Sequence, residues 1–309
     1  QGSGGVFSTT SGTSWGPKIS ELPNDATYGG NTDNEYTQKF GKQQGKYYVP
    51  QRAAAGLDPW ATPQAYDNAK DFFDTGITWS NSLNVAQMLD KSSYSISLGN
   101  THQDGIISST GMDRYNVKVS ADTKLTNNWS SGFTANYITT SIDKAVTSGN
   151  GLLRTVYAAP PSYDLAGIPS HVDGNPYTQN SFRGSFDNAY WAMENNKFTE
   201  DTNRFFGNVY ASYQTDFGTT NHKLNAKYMV GVDAYTTHYV DSYGYGSNTG
   251  GGRGQIENYG WTNATYNSLL TINYDWRINE DWGLNAVLGN EIIQSNRKKY
   301  YEYGTNYNF

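Results

Sequence analysis

The chain contains no cysteine, which excludes a disulfide framework, a thiolate metal site and a cysteine nucleophile. Histidine is scarce, with four in 309 residues. His102/Asp104 and His171/Asp173 each form an H-x-D pair. Nothing supplies a third or fourth ligand at a recognisable spacing, so solvated loop histidines are expected and no metal site. Net charge is −6, without the basic excess of a nucleic-acid binder. No apolar run reaches the length of a transmembrane helix, and no basic n-region or apolar h-region opens the sequence. There is no G-x-S-x-G elbow. The run Gly250-Gly251-Gly252-Arg253-Gly254 lacks the Lys-Ser/Thr of a phosphate loop and reads as a flexible loop tip. Acids such as Asp71, Asp74, Glu194, Glu200 and Asp201 cannot be set a catalytic distance apart from sequence. No enzyme activity and no cofactor are therefore expected.

Aromatics and glycine are abundant: 26 Tyr, 8 Trp, 12 Phe and 33 Gly. Tyr and Trp combine an apolar ring with a polar handle, which suits membrane interfaces and sugar-binding surfaces alike. The mean hydropathy of −0.72 matches a soluble protein. It also matches a membrane barrel, which shows lipid only every second residue.

Period-two alternation is the strongest local signal. It predicts strands at 77–89, 93–103, 113–124, 129–140, 204–215, 223–237, 258–277 and 281–296, separated by gaps of 3, 9, 4, 63, 7, 20 and 3 residues. Odd gaps are short and even gaps longer, so a meander would carry its bulk at one end, as outer-membrane barrels do. The apolar sets are Tyr94, Ile96 and Leu98; Val117 and Val119; Phe133; Tyr228, Val230 and Val232; and Leu270, Ile272 and Tyr274. These are expected to face lipid, with polar alternates such as Lys118 and Asn273 facing a lumen. Several strands are long enough for a tilted membrane crossing. Trp129, Tyr137, Tyr213, Trp276 and Trp282 sit near strand ends, where an aromatic girdle lies.

Between the strands, residues 1–76 read as one early strand near Gly5–Thr13 followed by a long loop, with a short helix within Tyr66–Phe73. Residues 141–203 and 238–257 read as long extracellular loops. Tyr239, Tyr243, Tyr245, Tyr259 and Trp261 lie in or beside the second, and are candidate substrate-binding aromatics. The same rings could instead pack the loop against its neighbours.

Several segments, in order along the chain, resemble SusC/RagA-type TonB-dependent outer-membrane transporters. They are GTSWGPKI (Gly12–Ile19), DFFDTGITWSNS (Asp71–Ser82), the strand–loop–strand run Ser92–Trp129, NAYWAMENNKFTEDTNRFFGNVYASY (Asn188–Tyr213) and Asn290–Asn306, which closes on YEYGTN. The resemblance implies a large plugged barrel that imports glycan or peptide oligomers. It implies a SusD-like surface lipoprotein as partner and energy from TonB. No plug domain or TonB box is visible, and eight to ten strands cannot close a wall of 22. The expectation is an all-β, antiparallel up-and-down transmembrane barrel, present as a partial barrel of about 8–10 strands with long extracellular loops. The span would be an internal section, bounded by outer-membrane lipid.

Two other readings remain. A soluble secreted β-sandwich acting on polysaccharide would bury the apolar alternates in a core. A small closed barrel, an adhesin or passive pore, fits the alternating Tyr301, Tyr303, Tyr307 and Phe309.

Overall fold

The computed structural model describes residues 17–146, 151–218 and 221–306. The strand expected near Gly5–Thr13 lies outside them. Eight long strands form one antiparallel sheet in chain order. They are β1 (Thr78–Met88), β2 (Ser92–Asp104), β3 (Gly111–Lys124), β4 (Trp129–Lys144), β5 (Lys197–Thr215), β6 (His222–Tyr245), β7 (Arg253–Arg277) and β8 (Gly283–Thr305). All eight expected strands are present. Sequential antiparallel pairing follows from turn chemistry at the short end. Thr126 Oγ1 accepts from the backbone N–H groups of Asn128 and Trp129 at 3.2 and 3.0 Å. Asn279 Oδ1 accepts likewise from Asp281 and Trp282 at 3.0 and 2.8 Å. Such side-chain turns reverse the chain within a few residues.

The strands do not end level. Met88 and Ser93 close the first short turn. Their row runs through Asp122, Gly132, Tyr210 and Met229 to Leu269 and Glu291. The last short turn is closed eight residues farther down, by Arg277 and Gly283. The sheet is thus sheared across the six strand spacings that separate these two turns. β1 and β8 stand at its two edges and do not pair with each other, so these strands form no small closed barrel.

Two loop expectations are corrected. The 238–257 loop is mostly strand: β6 runs to Tyr245, β7 begins at Arg253, and the Gly-rich tip is a 3-10 turn, Thr249–Gly252. Tyr239, Asp241, Tyr243 and Tyr245 alternate with Val240, Ser242 and Gly244, a strand pattern that the glycines and hydroxyls obscured. The 141–203 loop is likewise shorter, because β4 reaches Lys144 and β5 starts at Lys197.

Residues 21–76 are not structureless. They carry helices α1 (Glu35–Phe40), α2 (Pro50–Ala54) and α3 (Asn68–Phe72), the last inside the expected Tyr66–Phe73. Asn34 caps α1 in a reciprocal box with Thr37, which satisfies donors that a short helix otherwise leaves open. The segment between β4 and β5 adds α4 (Leu152–Ala158) and α5 (Ala189–Asn195), the latter capped by Asn188. These two segments share the chain's hydrophobic core, which includes Leu22, Tyr47, Phe72, Val156, Leu165, Phe182 and Trp191. Tyr47 Oη donates to the Ser162 carbonyl at 2.6 Å, and the Trp191 indole N–H to the Pro176 carbonyl at 2.9 Å. Both segments join the sheet at the end opposite the short turns. The core therefore sits at one end of the sheet, and the apolar sets of the strands remain unburied.

Candidate functional site

Strand register sorts the side chains into two faces. Tyr94, Ile96 and Leu98 stand opposite Ala121, Val119 and Val117, which stand opposite Phe133, Ala135 and Tyr137. The rows continue through Val209, Gly207 and Phe205 to Val230, Val232 and Ala234. Tyr228, Ala226 and Leu224 stand opposite Leu270, Ile272 and Tyr274. All twelve residues of the apolar sets therefore share one face. None is buried; Ile96 is 46% exposed, Phe133 43% and Val230 41%. A soluble sandwich would bury this face, and among the described residues nothing packs on it. At its short-turn border, Trp129 and Tyr213 pair with centroids 5.0 Å apart, and His222 stacks on Trp276 at 5.6 Å.

The other face is polar. Arg204 makes a bidentate pair with Asp233 at 2.8 and 2.5 Å, Tyr210 Oη donates to Asp122 at 2.6 Å, and Asn84 donates to Ser97 at 2.6 Å. Its rings are covered by cations: Lys227 lies 4.1 Å from the Tyr210 ring centre and Arg204 4.9 Å from that of Phe206. Cation–π contact of this kind suits aromatic rings on a wet surface.

The five candidate aromatics, Tyr239, Tyr243, Tyr245, Tyr259 and Trp261, all lie on this polar face, on strands rather than on a mobile loop. Three of them, Tyr239, Tyr259 and Trp261, form one array. Tyr239 and Tyr259 are cross-strand partners and stack with centroids 4.9 Å apart and planes 8° apart. Trp261 leans on Tyr239 at 5.3 Å, and Tyr243 meets Phe198 edge-on at 5.1 Å. Tyr245 stands apart and packs edge-on against Tyr177 of the interstrand segment, at 5.7 Å. Lys144 caps the Tyr239 ring at 4.5 Å and Arg297 the Trp261 ring at 4.8 Å. Much of the ring surface thus meets other rings or cations, so the array presents edges and hydroxyls more than open faces. Burial and then the charge of Glu200 push the Tyr239 phenol up, and burial and then Glu257 do the same for Tyr301. Tyr259 Oη donates to Asp241 Oδ2 at 3.1 Å. Burial, followed by the negative charge of Asp241, pushes the Tyr259 phenol up to about 12, so it remains a donor at neutral pH. The Trp261 indole N–H is enclosed and has no acceptor among the described residues.

Sequence reasoning named the rings but missed their charged neighbours Lys144, Glu200, Asp241, Glu257 and Arg297. Asp241 was within reach, because it sits between Tyr239 and Tyr243 at spacing two. The others come from different strands, and only register brings them in.

The tip of the β6–β7 hairpin is tied to the interstrand segment through one buried carboxylate. Asp187 accepts from Ser247 Oγ at 2.6 Å, from the Asn248 backbone at 2.7 Å and amide at 2.9 Å, and from Gln179 at 2.7 Å. Gly246, at φ +100°, lies against the Tyr177 carbonyl where a Cβ would collide.

Of the H-x-D pairs, His102 contacts Asp104 at 3.3 Å and Asp113 at 2.7 Å. His171 faces Glu194 at 3.5 Å rather than Asp173. Among the described residues, no three His, Asp or Glu side chains are grouped to hold a metal ion.

No protein-family description and no curated protein matches the chain in sequence. Solved structures match it in shape. A chain of the RagAB peptide importer in its closed-closed state superposes with a TM-score of 0.63 at 16% identity, over 79% of this chain and 27% of that one. The open-open state gives 0.64 at 14%, over 80% and 27%. A further RagAB peptide transporter structure gives 0.63 at 16%. The similarity establishes the fold, and this chain spans about a quarter of the length of those chains.

Proposed function

We propose that this span is a section of the wall of a large outer-membrane barrel that imports oligomeric nutrients, peptides or glycans, as SusC/RagA-type transporters do. The observation that carries this reading is the shear of the sheet. Eight residues of drop at ~3.4 Å each, over six spacings of ~4.8 Å, incline the strands by roughly 43° if the short turns share one depth. Transmembrane barrels tilt their strands by about 35–45°. The twelve apolar residues would then face lipid, and Arg204, Asp233 and their neighbours a wet lumen. The Trp129/Tyr213 and His222/Trp276 pairs would sit at the periplasmic border.

The same geometry raises the β6–β7 hairpin out of the membrane. Asp241 lies eleven residues beyond Val230, ~36 Å along the strand and roughly 26 Å along the membrane normal. An apolar band about 25 Å tall centred on Val230 reaches only about half that height. The aromatic array would therefore stand at the outer mouth, beside the packed segments 17–77 and 151–196. That is where substrate arrives and where a SusD-like lipoprotein would cap the barrel. The role of this span is binding and gating rather than catalysis, with TonB supplying energy through a region outside it.

The test is to purify the native protein from detergent-extracted outer membrane and weigh it with its companions. Recovery within a chain of roughly a thousand residues, together with a lipoprotein, supports the reading. Recovery as a detergent-free soluble species overturns it.

A further inference from the structure

The upper end of the polar face contains an arrangement that backbone pairing alone disfavours. Asp241 and Glu257 stand directly opposite each other on β6 and β7. Like charges so placed repel. Among the described residues, neither carboxylate has a Lys, Arg or His within ion-pair distance. Their partners are neutral donors: Tyr259 Oη for Asp241 and Gln255 Nε2 for Glu257, both at 3.1 Å. The other cluster acid, Glu200, is paired with Lys144 at 3.3 Å. Both carboxylates are half-buried, so solvent screens their repulsion only in part.

Aromatic rings frame this pair on every side but one, where Gln255 stands opposite Tyr243. In its own row, Phe198 stands beside Asp241 and Tyr303 beside Glu257. In the rows above and below lie Tyr243 and the stacked Tyr239 and Tyr259. On this face, three half-buried rings already carry cations: Lys144 on Tyr239, Arg297 on Trp261 and Lys227 on Tyr210. The Asp241/Glu257 pair has the rings and the negative charge but no cation.

We propose that Asp241 and Glu257, within the frame of Tyr243, Tyr259 and Tyr303, bind an organic cation: the ammonium or guanidinium group of an arriving oligomer. Two carboxylates supply charge-assisted hydrogen bonds to its N–H groups, and the ring faces and edges around them exclude water from its shoulders. A bound cation also relieves the repulsion across the hairpin. The proposal rests on the mouth placement argued above and gives that site a preference for basic cargo. The ammonium could belong to a basic peptide or to an amino-sugar oligomer, and the two are separated by assay.

The experiment measures binding of fluorescent tri-lysine, tri-arginine, tri-glutamine and tri-glutamate peptides to the native full-length protein in detergent, with and without chitosan oligomers as competitor. The basic peptides should bind at least tenfold more tightly than the neutral one, and rising salt should erase the difference. Competition by chitosan oligomers would assign the site to ammonium groups in general, and its absence to basic peptides. The Asp241→Asn/Glu257→Gln double variant preserves shape and should lose the tenfold preference while retaining neutral-peptide binding. Tyr303→Leu, at an exposed position that does not endanger folding, should weaken basic peptides alone. Equal affinity for all four peptides, an unchanged preference in the double variant, or competition by calcium alone would overturn the proposal. Uptake by whole cells is scored separately. Cation binding without uptake would remove the import reading and leave this site standing.

Discussion

A single charge placed on either face of β6 should have opposite consequences. Val230 lies within the apolar run from Leu224 to Ala234, with Val209 and Ser268 as cross-strand partners. No acid borders it on that face, so a lysine there has no partner. At the middle of a bilayer this costs about 2–4 kcal/mol, or roughly 30- to 900-fold in the folding equilibrium. Met229 is one residue away and points to the polar face, between Tyr210 and Leu269. Lys227 already occupies that face beside Tyr210. A lysine at 229 should therefore stay within about 0.5 kcal/mol, as surface changes do. The assay is urea unfolding of the native protein in lipid vesicles, read by heat-modifiable gel mobility, for Val230→Lys and Met229→Lys side by side. Equal loss in both, or equal tolerance, would refute the assignment of faces.

Two further outcomes follow from the upper hairpin. Asp187→Ala strands the Ser247 and Asn248 donors and should cost about 2–3 kcal/mol locally. Hydrogen exchange at 246–252 should then accelerate while the amides of β2–β5 stay protected; uniform acceleration would contradict a local tie. Tyr259 is held protonated above the ordinary phenol range. Its unfolded form ionises near pH 10, so its share of stability is intact below pH 10 and is lost as pH rises from there toward about 12. Tyr259→Phe should flatten that part of the alkaline loss of hairpin structure, measured by hydrogen exchange above pH 10.

The strands were legible because alternation is written directly into the sequence. Ile96 between Ser95 and Ser97, or Val119 between Lys118 and Ser120, leaves little choice of face. The strand ends beyond the apolar band were not legible. Above Thr236 both sides of β6 are polar or aromatic apart from Val240 and Gly244, so the contrast that marks a strand fades while the hydrogen-bonded ladder continues. The small core was hidden for another reason. Leu22 and Tyr47 come from one segment and Phe182 and Trp191 from another, with four strands between them in the chain, and only tertiary contact gathers them. The candidate rings were found by residue type, but their mutual stacking and their carboxylate partners depend on which residues face one another across strands. The Asp241–Glu257 juxtaposition is of that kind and cannot be read from either strand alone.

The central claim is that one face of this sheet meets lipid and the other water. The absence of cysteine from this span lets it be tested one position at a time. Single cysteines at each residue from 226 to 236, spin-labelled in the native protein reconstituted into vesicles, can be scored for collision with oxygen and with a water-soluble nickel chelate. Even positions, which carry Ala226, Tyr228, Val230, Val232 and Ala234, should favour oxygen, and odd positions the chelate, with a period of two. Uniform access of the chelate along the whole strand, or uniform exclusion of both reagents, would contradict the account.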